Sequence, residues 1–141
     1  MATARSDLTE TLAGIALFAD VGAAELQSIA HIVEERRYAE GERIIRQGIS
    51  GSAFYIILEG EAAIRVSGKD YGTLGRGEFF GEISALTGES PNADVVAIDL
   101  LRCLVVPAPE LESFLLEHPR VLLRMLKTEV RRLRTAELGR E

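Results

Sequence analysis

The chain has 141 residues, 47% hydrophobic and 27% charged, with a net charge of −6. That is enough apolar material for one core and too little length for two ordinary domains, so residues 1–141 read as a single domain. No apolar run approaches the roughly 18 residues of a membrane span, Met1 to Asp7 lacks the apolar stretch of a signal peptide, and the lone Cys103 sits among apolar neighbours. Together these features predict a cytoplasmic protein with no membrane span.

The charge is unevenly spread. From Arg120 to Glu141 there are seven basic residues against three acidic ones, a local net of +4 on a remainder of −10. Such a segment could meet nucleic acid or an acidic partner; a solvated helix face is the simpler reading.

In chain order, helices come first, over about residues 8–37. Thr9 to Leu17 reads as a short apolar helix, and Ala23 to Arg36 places Leu26, Ile29, Ala30 and Val33 on one face. Glycines then punctuate short β-type runs: Arg43 to Arg46, Phe54 to Leu58, Ala62 to Val66 and Asp94 to Val106. Short strands ended by residues that accept positive φ predict a compact all-β roll over 38–108, and no βαβ alternation appears. Residues 109–139 read as C-terminal helices: Glu110 to Leu116, then a long helix after Pro119. Leu122, Leu126, Val130 and Leu133 form an apolar stripe along it, to be covered by the roll, by a second copy or by another protein partner.

The most distinctive segment is Phe79-Phe80-Gly81-Glu82-Ile83-Ser84-Ala85-Leu86, followed by Ser90-Pro91-Asn92-Ala93-Asp94-Val95. It resembles the phosphate-binding cassette of the cyclic-nucleotide-binding domain family: Phe-Gly-Glu, a short helix, then Pro-Arg-small-Ala-Thr/Ser-Val. Tyr38 to Gly48, Phe54 to Gly60 and Leu74 to Glu82 match the first strands and cassette entry of that family, so the resemblance spans nearly the whole chain. It implies a mainly β fold with flanking helices, a β-roll of the double-stranded β-helix or jelly-roll kind, with the cassette at 79–96 and a long C-terminal helix.

The same resemblance implies roles. Phe80 and Gly81 would enter the cassette, and Gly81 would let the backbone approach the ligand. Amides around Ile83, Ser84 and Ala85 would point at a cyclic phosphate, and Glu82 would accept the ribose 2′-hydroxyl. Without a ligand, Glu82 reads as a helix-start carboxylate satisfied by nearby N–H groups. The spacing from Glu82 to Asn92 fits the family, but Asn92 stands where it has Arg, and offers a neutral donor in place of a charged fork. Asp94 replaces a small residue and Val95 a hydroxyl donor, with Ala93 between them; Glu89 adds a further carboxylate. Arg76 or Arg102 could return the missing charge. Glu82 and Asp94 could attract a cation, but two carboxylates do not define a metal site, and no metal is expected.

No catalytic residues are expected. His31 and His118 have no nucleophile or carboxylate at recognisable spacing, and the phosphate-loop, nucleophile-elbow and Cys-x-x-Cys motifs are lacking. Only eight residues follow Leu133, too few for a DNA-reading module, so specific DNA binding is not expected unless the chain is a truncated sensor domain of a transcription regulator. The expectation is a stand-alone regulatory or adaptor module with weak or absent cyclic-nucleotide binding. Its alternative is a working cyclic AMP receptor that moves its C-terminal helix about Pro107 to Pro109.

Overall fold

The computed structural model describes residues 2–49 and 53–139. Two helices, α1 (Ala2–Ala13) and α2 (Ala23–Ile32), flank a 3₁₀ turn at Ala16–Phe18. Eight strands follow: β1 (Glu34–Tyr38), β2 (Arg43–Ile45), β3 (Ala53–Glu59), β4 (Ala62–Val66), β5 (Lys69–Leu74), β6 (Phe79–Phe80), β7 (Asp94–Ala97) and β8 (Leu101–Pro107). A short helix, α3 (Glu82–Thr87), interrupts them, and α4 (Ala108–Glu117) and α5 (Pro119–Gly139) close the chain.

The strands make two antiparallel four-stranded sheets, ordered β1-β8-β3-β6 and β2-β7-β4-β5. Cover on both faces explains why β3 and β8 are apolar apart from Glu59 and Arg102. Tyr55, Ile57, Cys103 and Val105 point between the sheets to meet Ala62, Leu74, Val95 and Ala97. Their neighbours Phe54, Ile56, Leu58, Leu104 and Val106 face outward and are buried under Leu12, Phe18, Ile29, Leu111 and Phe114 of the helical layer. This is the expected roll with helices on one side.

Three sequence expectations shift. The first helix runs from Ala2 to Ala13 and gives way at Gly14 to the 3₁₀ turn, so the span expected as one helix from Thr9 to Leu17 is two pieces. The second helix ends at Ile32, not Arg36: Val33 turns extended (φ −93, ψ 151), and Glu34 to Tyr38 pair with β8. The helical period is real through Ala30, but strand pairing claims the polar residues after Val33, and Glu35 there meets Arg102 of β8 at 2.8 Å. The run from Asp94 to Val106 is broken at Ile98 to Leu100. There the Asp99 carboxylate accepts the Glu61 N–H at 2.8 Å, tying the corner to the β3–β4 turn.

His118 joins the last two helices. Its carbonyl accepts the Val121 and Leu122 amides, and its buried ring hydrogen-bonds Glu25 of α2 through Nδ1 while tilting against Phe114. No helix among the described residues is long and apolar enough to cross a membrane.

Candidate functional site

The cassette is built between two left-handed glycines. Gly81 (φ 84) precedes α3 and Gly88 (φ 77) ends it. At Gly81 the requirement is steric as well as conformational, since a Cβ there would lie 2.5 Å from the Ala53 carbonyl oxygen. Phe80 stacks on Tyr55 inside the roll, with ring centroids 4.8 Å apart and planes 7° from parallel.

Within α3, Glu82 and Ser84 are buried, and Ile83 and Leu86 are exposed. The Ala85 amide donates to the Gly81 carbonyl at 3.1 Å, so it is not a free donor as the sequence suggests. The Ile83 and Ser84 amides, in the first turn, have no backbone acceptor among the described residues.

Glu82 is neither open to the roll nor satisfied by amides alone. Its Oε1 lies 3.3 Å from Nη1 of Arg132 on α5, and the same Nη1 lies 3.2 Å from Glu129 Oε1. Arg132 also donates from Nη2 to the Phe79 carbonyl at 2.8 Å and rests 4.4 Å above the Phe79 ring. Burial, then hydrogen bonding with Glu129 and the charge of that residue, push the Glu82 carboxyl up to about 7; Arg132 offsets part of the rise. Sequence reading missed Arg132 because it is one of six basic residues in a helix whose facing is not written in its composition.

Asn92 is exposed on the α3–β7 connection and makes no side-chain hydrogen bond among the described residues. Ala93 is half-buried beside it, and Val95 points into the inner core. Asp94 is engaged elsewhere: its Oδ1 accepts the Gln47 N–H at 2.7 Å, and its Oδ2 lies 3.8 Å from Arg43 Nε. Glu82 and Asp94 are therefore held by different arginines.

Of the two cations considered as substitutes, Arg102 is committed to Glu35 at 2.8 Å and Glu59 at 3.0 Å. Arg76 lines a small groove with Gly14, Ile15 and Ala16. Cys103 is fully buried and its thiol is pushed up to about 12 by burial, which leaves it protonated and unreactive at neutral pH.

On α5, Val121 and Met125 face the core. The predicted stripe lies on the opposite side: Leu122 is 39%, Leu126 57%, Val130 56% and Leu133 61% exposed, with Leu123 beside them. The roll does not cover it. Between α5 and the β4–β5 hairpin runs a groove of about 1260 Å³, open to solvent.

This roll with a glycine-bracketed cassette is matched by the sequence profile of the cyclic nucleotide-binding domain over residues 35–118, and the chain belongs to that family. It is 31% identical over 113 residues to a putative potassium channel protein of Rhodopseudomonas palustris, covering 78% of this chain and 27% of that protein. It is 42% identical over 90 residues to a cAMP-dependent protein kinase regulatory subunit of Mycosarcoma maydis, covering 61% of this chain and 17% of the other. The chain thus spans about a quarter or less of the curated relatives it matches.

Among solved structures, cAMP-bound PfPKA-R superposes with a TM-score of 0.82 at 23% identity, over 98% of this chain and 48% of the other, a likeness of fold. The Thermus thermophilus catabolite activator protein gives 0.78 at 28%, over 87% and 60%. A triple mutant of the regulatory subunit of a cAMP-independent protein kinase A from Trypanosoma brucei gives 0.78 at 25%, over 90% and 47%. One of its three changes introduces an arginine in place of threonine, and it is described as bound to cAMP in the A site.

Proposed function

We propose that this chain is a cytoplasmic regulatory or adaptor module of the cyclic-nucleotide-binding fold whose cassette holds cyclic AMP weakly or not at all. The observation that carries this reading is that the arginines described beside the cassette and on the later strand are engaged by carboxylates. Asn92 is neutral, Arg43 faces Asp94, Arg102 faces Glu35 and Glu59, and Arg132 is shared by Glu82, Glu129 and Phe79. Losing one charge-assisted hydrogen bond costs about 1.5–3 kcal/mol, or roughly ten- to hundredfold in affinity. The Trypanosoma subunit supports the reading: a protein described as cAMP-independent has a mutant with an introduced arginine described as bound to cAMP.

In this reading α5 carries the function, by presenting its exposed stripe to a second copy or to another protein. The test is calorimetric titration of the wild-type chain with cyclic AMP, then cyclic GMP. Heat corresponding to micromolar or tighter affinity would overturn it, and silence up to millimolar ligand is expected.

One observation favours a second reading, a working cyclic nucleotide receptor. Arg132 ties α5 directly to Glu82 and Phe79, so a ligand that drew Glu82 toward a ribose would loosen the grip on α5. Micromolar cyclic AMP binding in the same titration would favour this reading.

A further inference from the structure

We propose that Thr135 is a phosphorylation site for an arginine-directed serine/threonine kinase, and that its phosphate draws Arg132 off Glu82 and so unpins α5 from the cassette. Thr135 follows Arg131-Arg132-Leu133-Arg134, which puts arginines one, three and four residues before its hydroxyl. A kinase whose substrate groove is lined with carboxylates selects a hydroxyl by such a charge pattern. Thr135 is exposed, and its hydroxyl makes no hydrogen bond among the described residues. Val121, Met125, Thr128, Arg132 and Thr135 step along α5 by four, three, four and three, so they share one row of the helix. Val121 and Met125 of that row are buried against the core, whereas Thr135 stands one turn past the Arg132 contacts with Glu82 and Phe79. The exposed Leu126, Val130 and Leu133 lie on another face, which the modification leaves free.

In the transfer, Oγ1 of Thr135 forms a bond to the γ-phosphorus of ATP as the bond to ADP breaks, and the hydroxyl proton passes to the kinase's base. The product carries up to two negative charges and three acceptor oxygens. Arg132 and Arg131, three and four residues back, are the cations within helical reach of it. Arg131 has no ion-pair partner among the described residues, and Arg132 is shared by Glu82, Glu129 and the Phe79 carbonyl. The phosphate therefore competes for Arg132 with a buried carboxylate that holds a proton readily, its pKa pushed up to about 7, and that becomes neutral once the guanidinium leaves. The same contacts set the rate of transfer. Kinases take their substrates extended, so the end of α5 must open back to Arg131, which breaks the Arg132 contacts at 3.3 and 2.8 Å.

The test incubates the full chain with ATP and calcium/calmodulin-dependent protein kinase II, an arginine-directed enzyme, and reads the product by intact-mass and fragment mass spectrometry. One phosphate on Thr135 is expected, and none on Thr135→Ala. Arg132→Ala frees the helix end but removes the arginine at the recognised spacing, and should slow transfer roughly tenfold or more. Glu82→Gln keeps that arginine and weakens its tether, and should speed transfer roughly threefold. In the phosphorylated chain, hydrogen exchange of the α5 amides from Val130 onward should be faster than in the unmodified chain. A wild-type chain left unmodified, or phosphate found on another hydroxyl such as Thr128, would overturn the site. Unchanged exchange along α5 after phosphorylation, or equal transfer rates for Glu82→Gln and wild type, would overturn its coupling to Arg132.

Discussion

Arg132 of α5 and Glu82 of the cassette form an ion pair at 3.3 Å in which the carboxylate is almost wholly buried, 6% exposed, and the guanidinium is shared with Glu129. A single arginine thus joins the C-terminal helix to the loop that the sequence marks as the ligand site. Its second nitrogen, on the Phe79 carbonyl, adds β6 to the same knot. Burial above all, and then the neighbouring Glu129 carboxylate, is why Glu82 holds its proton to about pH 7.

That raised pKa makes stability fall as pH rises. A carboxyl whose folded pKa is raised from 4.5 to about 7 binds its proton more tightly when folded, so its contribution is fully present below 4.5 and is lost as pH climbs through 7. The full span corresponds to about 3 kcal/mol. Urea unfolding at pH 5, 6, 7 and 8 should show wild-type stability declining across this window, with Glu82→Gln flattening the decline and being the more stable protein at pH 8. Parallel pH profiles for the two proteins would show that Glu82 is ionised throughout.

For the phosphate site, Asn92→Arg is a cleaner test than the same change combined with Asp94→Ala. The Asp94 carboxylate accepts the Gln47 N–H at 2.7 Å in the turn after β2, so its removal loses that bond and should cost about 1 kcal/mol of stability. The single Asn92→Arg variant should fold as the wild type does and bind cyclic AMP ten- to hundredfold more tightly by calorimetry. A folded variant no tighter than wild type would mean that more than this one charge has been lost from the site.

Gly81→Ala should unfold the cassette entry. A left-handed φ of 84 costs a non-glycine residue roughly 1–2 kcal/mol, and the new methyl would press on the Ala53 carbonyl, which is strand backbone paired with β8 and not a side chain that can swing aside. The urea midpoint should drop by an amount equivalent to about 2 kcal/mol or more. Gly41→Ala, also at positive φ (83) but with open space where the methyl would stand, serves as the comparison and should lose only the conformational part. Equal losses at the two sites would remove the steric argument.

The fold was legible because its signals are local. Glycines at turns, apolar runs in β3 and β8, and the Phe-Gly-Glu motif each report on a few adjacent residues, and the family resemblance placed them in order. What could not be read was long-range pairing. The segment Glu34 to Arg36 looks helical by continuity with α2, and becomes strand only because β8 offers it a ladder. Asp94 looks like a repulsive neighbour of a phosphate until Gln47, distant in sequence, is seen to use it. Arg102 and Arg132 are alike in sequence; Glu35 and Glu59 claim the first, and the cassette claims the second. The direction of the α5 stripe, away from the roll, likewise depends on which side of the helix Val121 and Met125 anchor.

The stripe leads to the last expectation. With Leu123 added, the exposed residues Leu123, Leu126, Val130 and Leu133 step by three, four and three, the alternation that lets two parallel helices interlock. In such a pair Arg134 would stand across the seam from Glu129, which Arg132 of its own chain also holds at 3.2 Å, so the flanking charges would add little to the apolar contact. Sedimentation equilibrium of the wild-type chain should therefore report a dimer, and Leu126→Glu with Val130→Glu, both at exposed positions of the protomer, should give a folded monomer. Arg134→Glu should weaken the dimer by a smaller factor, and more at low salt than at high, because only the flanking charge is reversed. A dimer that survives the double glutamate change would exclude this face. A wild-type monomer at high concentration would leave the stripe to a different protein, and would make the acidic or basic character of its flanks the first guide to that partner.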